Sequence, residues 1–351
     1  DVYKRQMTSR RGLVFAVFIV LSVFIGGCGG GASSSGEWTL VGETTPDVGS
    51  GSPDRSGEPG AVGAAGAAVV AGLIDEGRLG EPYLGPLTFR APRDCGVAVF
   101  EKVEKRGATA ELAYRLRFVP EGDLTIVTWD DMKVVRLDGR PVPSGARQEI
   151  AAIPFRLPSI VVDGAGSVVE VRGMEELVAS FAALDPAYAD AVSSSPGLVA
   201  AIEESVVSKY WYAWVEVWAE WGSSEDPVEE RFAGGGSDEA LTLSMASVGT
   251  TPDGLVALRS TGSITGPPLR AVLRSVFASI APAGSEDEFE EFVASADGRL
   301  EDVIEVVTDP ATLWPRSALF QRTMTLTVDE ETEVLAERRV ATLDWDSSNC
   351  S

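Results

Sequence analysis

Hydrophobic and polar residues follow three different patterns along this chain. Residues 13–25 form an apolar run in which Ser22 is the single polar residue. Residues 29–60 are mainly Gly, Ser, Thr, Pro, Asp and Glu, with too little apolar surface to offset the entropy lost on folding. From about residue 81 onward, apolar and polar residues alternate over many short stretches. The pattern predicts a hydrophobic segment, a disordered tether and one globular domain.

Alternation with a period of two residues predicts that this domain is built mainly from antiparallel strands. Turn residues separate the alternating stretches, and Asp138-Gly139 and residues 163–166 are strong hairpin signals. The predicted strands are residues 96–102, 110–119, 123–129, 133–137, 159–162, 167–171, 240–247, 254–260, 299–308, 318–328 and 333–345.

Apolar residues recurring every three or four positions predict helices. These cover residues 173–184, 196–221 and 268–280. The longest begins at Pro196 and is followed by Gly222, residues that suit a helix start and a helix end. Its second half also alternates with a period of two, so a strand remains an alternative there.

These elements predict the fold class and the domain boundaries. The tether covers residues 28–60, and the globular domain covers residues 81–351. Between them, residues 61–80 are rich in Ala and Gly and predict a short helix. The domain belongs to the α+β class, mainly β, with helices packed on one face of an antiparallel sheet. Each half runs from strands to a helix, which is compatible with two similar halves.

The residues before Cys28 form the most specific motif of the chain. Arg10 and Arg11 precede the apolar run, and residues 25–28 (IGGC) follow it. A helix of thirteen residues rises about 20 Å, less than a hydrocarbon core of about 30 Å. The motif resembles the lipobox of bacterial lipoprotein signal peptides. The resemblance implies that residues 1–27 are a removed signal peptide and that Cys28 carries a lipid.

The alternative is an ordinary signal peptide, or a short anchor helix, that contains a cysteine. Residues 1–6 precede Met7 and are expected to lie upstream of the true start. Gly29 stands where an Asp retains lipoproteins in the inner membrane of enteric bacteria. The expected location is therefore the cell envelope, at the outer membrane facing the periplasm, with the cell surface as an alternative.

Composition restricts the classes of function. The chain has 29 Lys and Arg against 53 Asp and Glu, a net charge of −24, which disfavours nucleic acid as a partner. It contains no His, which excludes Ser-His-Asp and Cys-His catalysis and His-ligated metals. Acidic clusters at Asp130-Asp131 and residues 286–291 and 329–331 lack calcium-loop spacing and predict solvated turns. We expect no catalytic residues, no metal and no cofactor.

Two cysteines remain besides Cys28. An exported chain meets an oxidising compartment, where an even number of cysteines usually pairs. We therefore expect a disulfide between Cys95 and Cys350, with two separate buried thiols as the alternative.

Two segments resemble a known class of lipoproteins in style. They are residues 162–177, which include Val162-Asp163-Gly164, and residues 309–315 (DPATLWP). They are similar to segments of uncharacterised relatives of the half-barrel periplasmic lipoprotein carriers. This resemblance implies a strongly curved sheet that wraps helices and holds an acyl chain between them. It implies ligand carriage or envelope assembly, and no catalysis.

Aromatic residues are concentrated at residues 210–221. Trp211, Trp214 and Trp218 are candidates to line an apolar groove for a lipid or a glycan, because Trp combines a large apolar area with a polar N–H. The alternative is that the aromatic stripe only packs against the sheet.

Two hypotheses of function follow. The first is a lipid-anchored binding or carrier module for an apolar ligand, which predicts a cavity beside the aromatic helix. The second is a structural or protein-interaction lipoprotein of the envelope, which predicts a filled core and an exposed apolar patch. The expected partners are the membrane, through the N-terminal lipid, and an apolar ligand or an envelope protein.

Overall fold

The computed structural model describes residues 72–105, 107–142, 157–177, 207–222, 228–231, 240–280, 286–328 and 331–345, together with residues 179, 199, 203 and 350. The predicted signal peptide, the lipid on Cys28 and the tether lie outside these residues. Of the predicted helix at residues 61–80, the structure describes residues 72–80, where a short 3-10 turn, Glu76–Arg78, is present.

The described strands form one curved antiparallel sheet. They are β1 Cys95–Lys105, β2 Ala108–Glu121, β3 Leu124–Leu137, β4 Arg140–Pro141, β5 Ser159–Val162, β6 Val168–Arg172, β7 Val228–Arg231, β8 Ala240–Thr250, β9 Val256–Thr265, β10 Asp297–Thr308, β11 Pro315–Val328 and β12 Glu331–Asp344. Their order is β6-β5-β3-β2-β1-β12-β11-β10-β9-β8-β7, and β4 pairs with β3 beside this path. Within the described chain the sheet is not closed into a barrel.

The chain enters this sheet at its centre and returns to its centre. It runs outward from β1 to β6 at one edge, continues at the other edge with β7, and comes back to β12, which pairs with β1. A disulfide joins Cys95, the first residue of β1, to Cys350, with 5.0 Å between their Cα atoms. The predicted pairing of these two cysteines is therefore present.

Tight turns with left-handed residues connect the strands. Asp138 and Gly139 have φ angles of 47° and 73° and join β3 to β4, as the hairpin signal predicted. The prediction of separate strands at residues 123–129 and 133–137 is wrong, because one strand, β3, spans both. A bulge, with Asp131 at φ 56°, interrupts its pairing with β2. The predicted solvated turn at Asp130-Asp131 is thus part of a strand.

Three helices with continuous described stretches accompany the sheet, besides the helical residues 174–177 and 179. The first, α1, consists of a π-helical stretch, Ser208–Glu216, that continues as an α-helical turn, Val217–Trp221. The second and third are α2, Gly266–Ile280, and α3, Glu286–Ser295. The helix predicted at residues 196–221 is confirmed where it is described, and the strand alternative for its second half is wrong. Of the helix predicted at residues 173–184, residues 174–177 and 179 are described and helical.

The sequence analysis missed α3 and β7. The acidic cluster at residues 286–291 was predicted to be a solvated turn, and the structure contradicts this. Phe289, Phe292 and Val293 lie on one side of α3 and are buried, while Asp287 and Glu290 are exposed. The helix forms because this narrow apolar stripe packs inward between the charged residues.

The two faces of the sheet differ in polarity. In β1 the side chains of Val97, Val99 and Val103 are buried, whereas the intervening Ala98 and Phe100 are exposed. The buried row lies on the face that also contacts α1, here called the inner face. The predicted fold class, mainly β with helices on one face, is confirmed. No helix of the described residues is both long enough and apolar enough to cross a membrane.

Residues 72–94 run along one end of the sheet before the chain enters β1. The Glu305 carboxylate accepts hydrogen bonds from the amides of Leu73 and Ile74, and Gly80 donates its N–H to the Thr250 carbonyl at 2.8 Å. Further on, Thr88 and Arg90 donate to carbonyls in the β10–β11 turn, at residues 310 and 312. These contacts cover the end at which β1 begins and β12 ends.

Candidate functional site

The candidate site lies on the inner face, where α1 meets the sheet. The π-helical stretch of α1 buries nearly every side chain described in it, because Tyr210, Trp211, Trp214 and Val215 all point inward. Stretches of π-helix are rare and usually span a single turn. Those that occur are often found at functional sites. Gly222, with φ 58°, ends the helix by donating its N–H to the Trp218 carbonyl at 3.0 Å.

The three tryptophans named from the sequence are all buried. Trp211 donates its Nε1–H to the Gly166 carbonyl at 2.7 Å, which fixes α1 to the β5–β6 turn. Trp214 contacts the Tyr210 ring edge-on, with 5.6 Å between the centroids. Trp218 is 0% exposed and donates to the Ala213 carbonyl within α1. Trp211 and Trp214 thus share a site, and Trp218 packs elsewhere in the core.

A small cavity lies beside Trp211 and Trp214. Its volume is about 10 Å³, which is the space of one water molecule, whereas ligand pockets usually measure about 300–1,000 Å³. Its wall is formed by apolar and aromatic residues from five parts of the chain: Phe89, Pro92, Leu116, Phe118, Trp211, Trp214, Val215, Leu313, Trp314, Pro315, Leu343 and Trp345. The site is apolar and nearly filled in this structure.

Stacked aromatic rings form the floor of this cavity. Trp314 stacks on Trp345 with 4.6 Å between ring centroids, and Trp345 stacks on Phe118 at 5.7 Å. Phe89, from the segment before β1, contacts Trp211 edge-on at 5.8 Å and forms the opposite wall. Residues of the sheet, of α1 and of the segment before β1 thus line the cavity together.

A band of buried charges crosses the inner face next to this aromatic region. Asp302 on β10 lies opposite Arg322 on β11, which lies opposite Glu337 on β12. The Arg322 Nε donates to Asp302 at 2.8 Å, and the Arg339 Nε donates to Glu337 at 2.6 Å. The Arg339 guanidinium also donates to Glu101 on β1 at 3.1 Å. The five side chains bring three carboxylates together with two guanidinium groups.

The extra carboxylate determines the electrostatics of the band. Burial raises the pKa of Glu101, because its desolvation outweighs the attraction of Arg339, which Glu101 shares with Glu337. Burial by itself would lower the pKa of Arg339, but Tyr210, Glu337 and Glu101 around it raise the value, so it stays ionised. Burial and the neighbouring Glu101 raise the pKa of Tyr114 well above its usual value.

Tyr210 connects α1 to this band. Its hydroxyl accepts a hydrogen bond from Arg339 at 2.8 Å, and the guanidinium lies 5.2 Å from the centre of its ring. The sequence analysis placed Tyr210 only in an apolar stripe and missed the charges entirely. The available signal was the alternation along β1. Glu101 lies two residues after Val99 and four after Val97, so all three side chains point inward.

The described residues contain no cluster of three or more Cys, Asp or Glu side chains that could hold a metal ion. Chemically, the arrangement offers an apolar, aromatic interior and internally paired charges. It is suited to contact with apolar groups.

No family model matches this chain, and no curated protein matches it. Among solved structures it resembles a chain described under "lipid-protein interactions in lipovitellin", with 10% sequence identity and a TM-score of 0.37 over 71% of this chain. This chain spans about a quarter (24%) of the length of that lipovitellin chain. At this TM-score the likeness carries no argument about fold or function.

Fold and site together define the structural class of this protein. The chain contains an open, curved antiparallel sheet, mainly β, with an aromatic helix on an apolar inner face that a buried ionic band crosses.

Proposed function

We propose that this protein is a binding or carrier module for an apolar ligand, anchored to the bacterial cell envelope by a lipid on Cys28. The observation that carries the proposal is the aromatic π-helical segment packed on the inner face, beside an entirely apolar cavity. In this proposal an acyl chain, when bound, takes space that α1 and Phe89 occupy in the structure.

The local structure of α1 supports such exchange. Its π-helical hydrogen bonds are spaced over five residues, a geometry that usually persists for a single turn. Its aromatic side chains can contact an acyl chain with the same surfaces that now contact the sheet. Because apolar attraction is not directional, this replacement preserves much of the burial energy.

The first test is co-purification of lipid. The full chain, gently extracted from bacterial membranes, is analysed by native mass spectrometry and by mass spectrometry of an organic extract. We expect an added mass that the extract identifies as a diacyl lipid or fatty acid. Repeated spectra of the bare, lipid-free chain would count against the carrier function.

Brominated lipid gives a site-specific second test. Dibrominated stearic acid quenches tryptophans that its chain touches, so we expect it to quench the fluorescence of the full chain. Trp211→Phe and Trp214→Phe should each reduce the quenched amplitude, because both rings line the cavity. Trp218→Phe is the matched control and should leave that amplitude unchanged. Equal effects of all three substitutions would contradict binding at this site.

The proposed anchor has its own test. Cys28→Ser should move the protein from the membrane fraction to the soluble fraction and remove the lipid mass from its N-terminal peptide. An unmodified Cys28 thiol on wild-type protein that stays in the cytosol would contradict both the anchor and the envelope location.

One observation favours the second candidate function, a structural or interaction lipoprotein without a ligand. The cavity beside Trp211 and Trp214 has a volume of only about 10 Å³, far below that of a usual ligand pocket. This candidate predicts no co-purifying lipid and no quenching, and in-cell crosslinking would recover the same envelope protein in repeated experiments.

A further inference from the structure

We infer that residues 81–94 form a flap over the apolar cavity, and that the flap opens to admit the ligand. The admission of a ligand rests on the proposed function, whereas the opening of the flap does not. The flap runs along the end of the sheet at which β1 begins, and its residues Phe89 and Pro92 line the cavity.

The flap is fixed at both of its ends. Before it, the Gly80 N–H binds the Thr250 carbonyl, and Glu305 holds the amides of Leu73 and Ile74. Arg259 strengthens this attachment by donating to Glu305 at 2.8 Å and to Glu76 at 2.6 Å. After it, Cys95 is fixed by its disulfide and by the β1 ladder. Within the flap, the Tyr83 N–H donates to the Ser247 hydroxyl at 2.8 Å and the Thr250 hydroxyl donates to the Glu81 carbonyl at 3.2 Å. Movement is therefore confined to residues 84–94.

The flap itself is held more weakly than the other walls of the cavity. It contains no helix or strand, whereas the facing strands are held by continuous ladders. Its contacts with the β10–β11 turn are the Thr88 and Arg90 amides and the Trp314 Nε1, which donates to the Arg90 carbonyl at 2.6 Å. Segments with few hydrogen bonds open locally at a lower free-energy cost than the global unfolding.

Two buried side chains keep the flap closed. Leu87 and Phe89 are each 8% exposed, and the Phe89 ring packs against both Trp211 and Gly166. A Cβ at Gly166 would lie 2.9 Å from the Phe89 ring, so a glycine is required for this fit. When Phe89 leaves, Trp211 and the stack of Phe118, Trp345 and Trp314 become one continuous apolar surface.

The test compares Phe89→Ala with Leu84→Ala in the full chain. Leu84 lies in the same flap but is 90% exposed, so its truncation leaves the closed state intact. Hydrogen exchange without ligand should show the Thr88 and Arg90 amides exchanging faster than β1 amides. Phe89→Ala should accelerate them further by about tenfold or more, because truncating a buried Phe shifts the flap toward its open state.

The same variants are then mixed with dibrominated stearic acid. We expect Phe89→Ala to speed the onset of quenching by about tenfold and Leu84→Ala to leave it unchanged. Flap amides that exchange as slowly as β1 amides in both variants would overturn the inference, even if quenching occurs. Fast flap exchange without any quenching would uphold the flap and contradict the proposed function. Circular dichroism checks folding, and Phe89→Leu replaces Phe89→Ala if the latter does not fold.

Discussion

At the residue scale, the buried charges are the costliest feature of the interior. Asp302 pairs with Arg322, and Glu337 with Arg339, while Glu101 shares Arg339. A buried charge must be paired and hydrogen-bonded to be tolerated, and removal of one partner usually costs about 3–5 kcal/mol. Burial raises the pKa of Glu101 in spite of its bond with Arg339.

The first prediction concerns Glu101→Gln. Because the folded state raises the pKa of Glu101, it holds this proton more tightly than the unfolded state does. The stability that Glu101 contributes is thus fully present below its ordinary pKa of 4.5 and is lost as the pH rises through the raised pKa. As the pH rises from 4.5 through the raised pKa, the free energy of unfolding of the wild type should fall relative to that of Glu101→Gln. Urea unfolding at a series of pH values measures it.

The control for this prediction is Glu104→Gln on the same strand. The Glu104 side chain is 36% exposed, and its hydrogen bond with Lys102 lowers its pKa. Its contribution is therefore present at higher pH and lost as the pH falls, so the wild-type minus variant difference should have the opposite slope and be small. A flat or rising difference for Glu101→Gln would contradict the raised pKa.

At the element scale, close strand packing depends on particular glycines. Gly298 is the second residue of β10 and lies opposite Leu326 on β11. A Cβ at Gly298 would lie 2.1 Å from the Thr325 carbonyl oxygen, a backbone atom that cannot move alone. This position therefore requires glycine for close approach of two backbones.

Gly298→Ala should lower the free energy of unfolding by about 1–3 kcal/mol, because β10 must shift or lose pairing with β11. Gly164→Ala is the control, since no atom lies within 4 Å of the added methyl group. It should change the stability by less than about 0.5 kcal/mol. Denaturant unfolding of both variants checks this, and equal stability of the two would contradict the close approach.

The elements were predicted with unequal success for a physical reason. Strand alternation depends only on which side chains face inward, so β2, β10, β11 and β12 were recognisable from the sequence. The bulge at Asp131 and the helix α3 were missed, because each depends on what packs against it. In α3 most of residues 286–291 are acidic, so the sequence does not reveal that Phe289, Phe292 and Val293 are buried.

At the scale of the whole molecule, β1 and β12 pair in the middle of the sheet, although they begin and end the described domain. The Cys95–Cys350 disulfide fixes this pairing across a sequence separation of 255 residues. Such a long cross-link restricts the unfolded chain strongly, and on the chain-entropy view it stabilises by roughly 5 kcal/mol.

Reduction should therefore lower the free energy of unfolding by up to about 5 kcal/mol. The measurement is urea unfolding of the wild type with and without dithiothreitol. The double variant Cys95→Ser/Cys350→Ser is the control, and it should resemble reduced wild type and not respond to the reductant. An equal midpoint for oxidised and reduced wild type would contradict a stabilising cross-link.

The candidate site was only partly accessible from the sequence. Trp211 and Trp214 line the small apolar cavity, whereas Trp218 packs elsewhere in the core, and the ligand-lining role of all three stays a prediction. Phe89, Trp314 and Trp345 were missed, because they reach the site from segments far apart in the sequence. Glu101, Arg322 and Arg339 were missed because a charge at an inward position is recognised only once the strand partners are known.

The sequence by itself determined the mainly β class, the strand periods and the amphipathic helix, because local alternation of apolar and polar residues decides which surfaces must be buried. It also limited the chemistry, since a chain without histidine cannot build several common catalytic sites. Only the tertiary structure decided that β1 meets β12, that buried carboxylates and guanidinium groups cross four strands, and that Phe89 packs against Trp211. Those features depend on contacts between residues far apart in the chain, which local pattern does not encode.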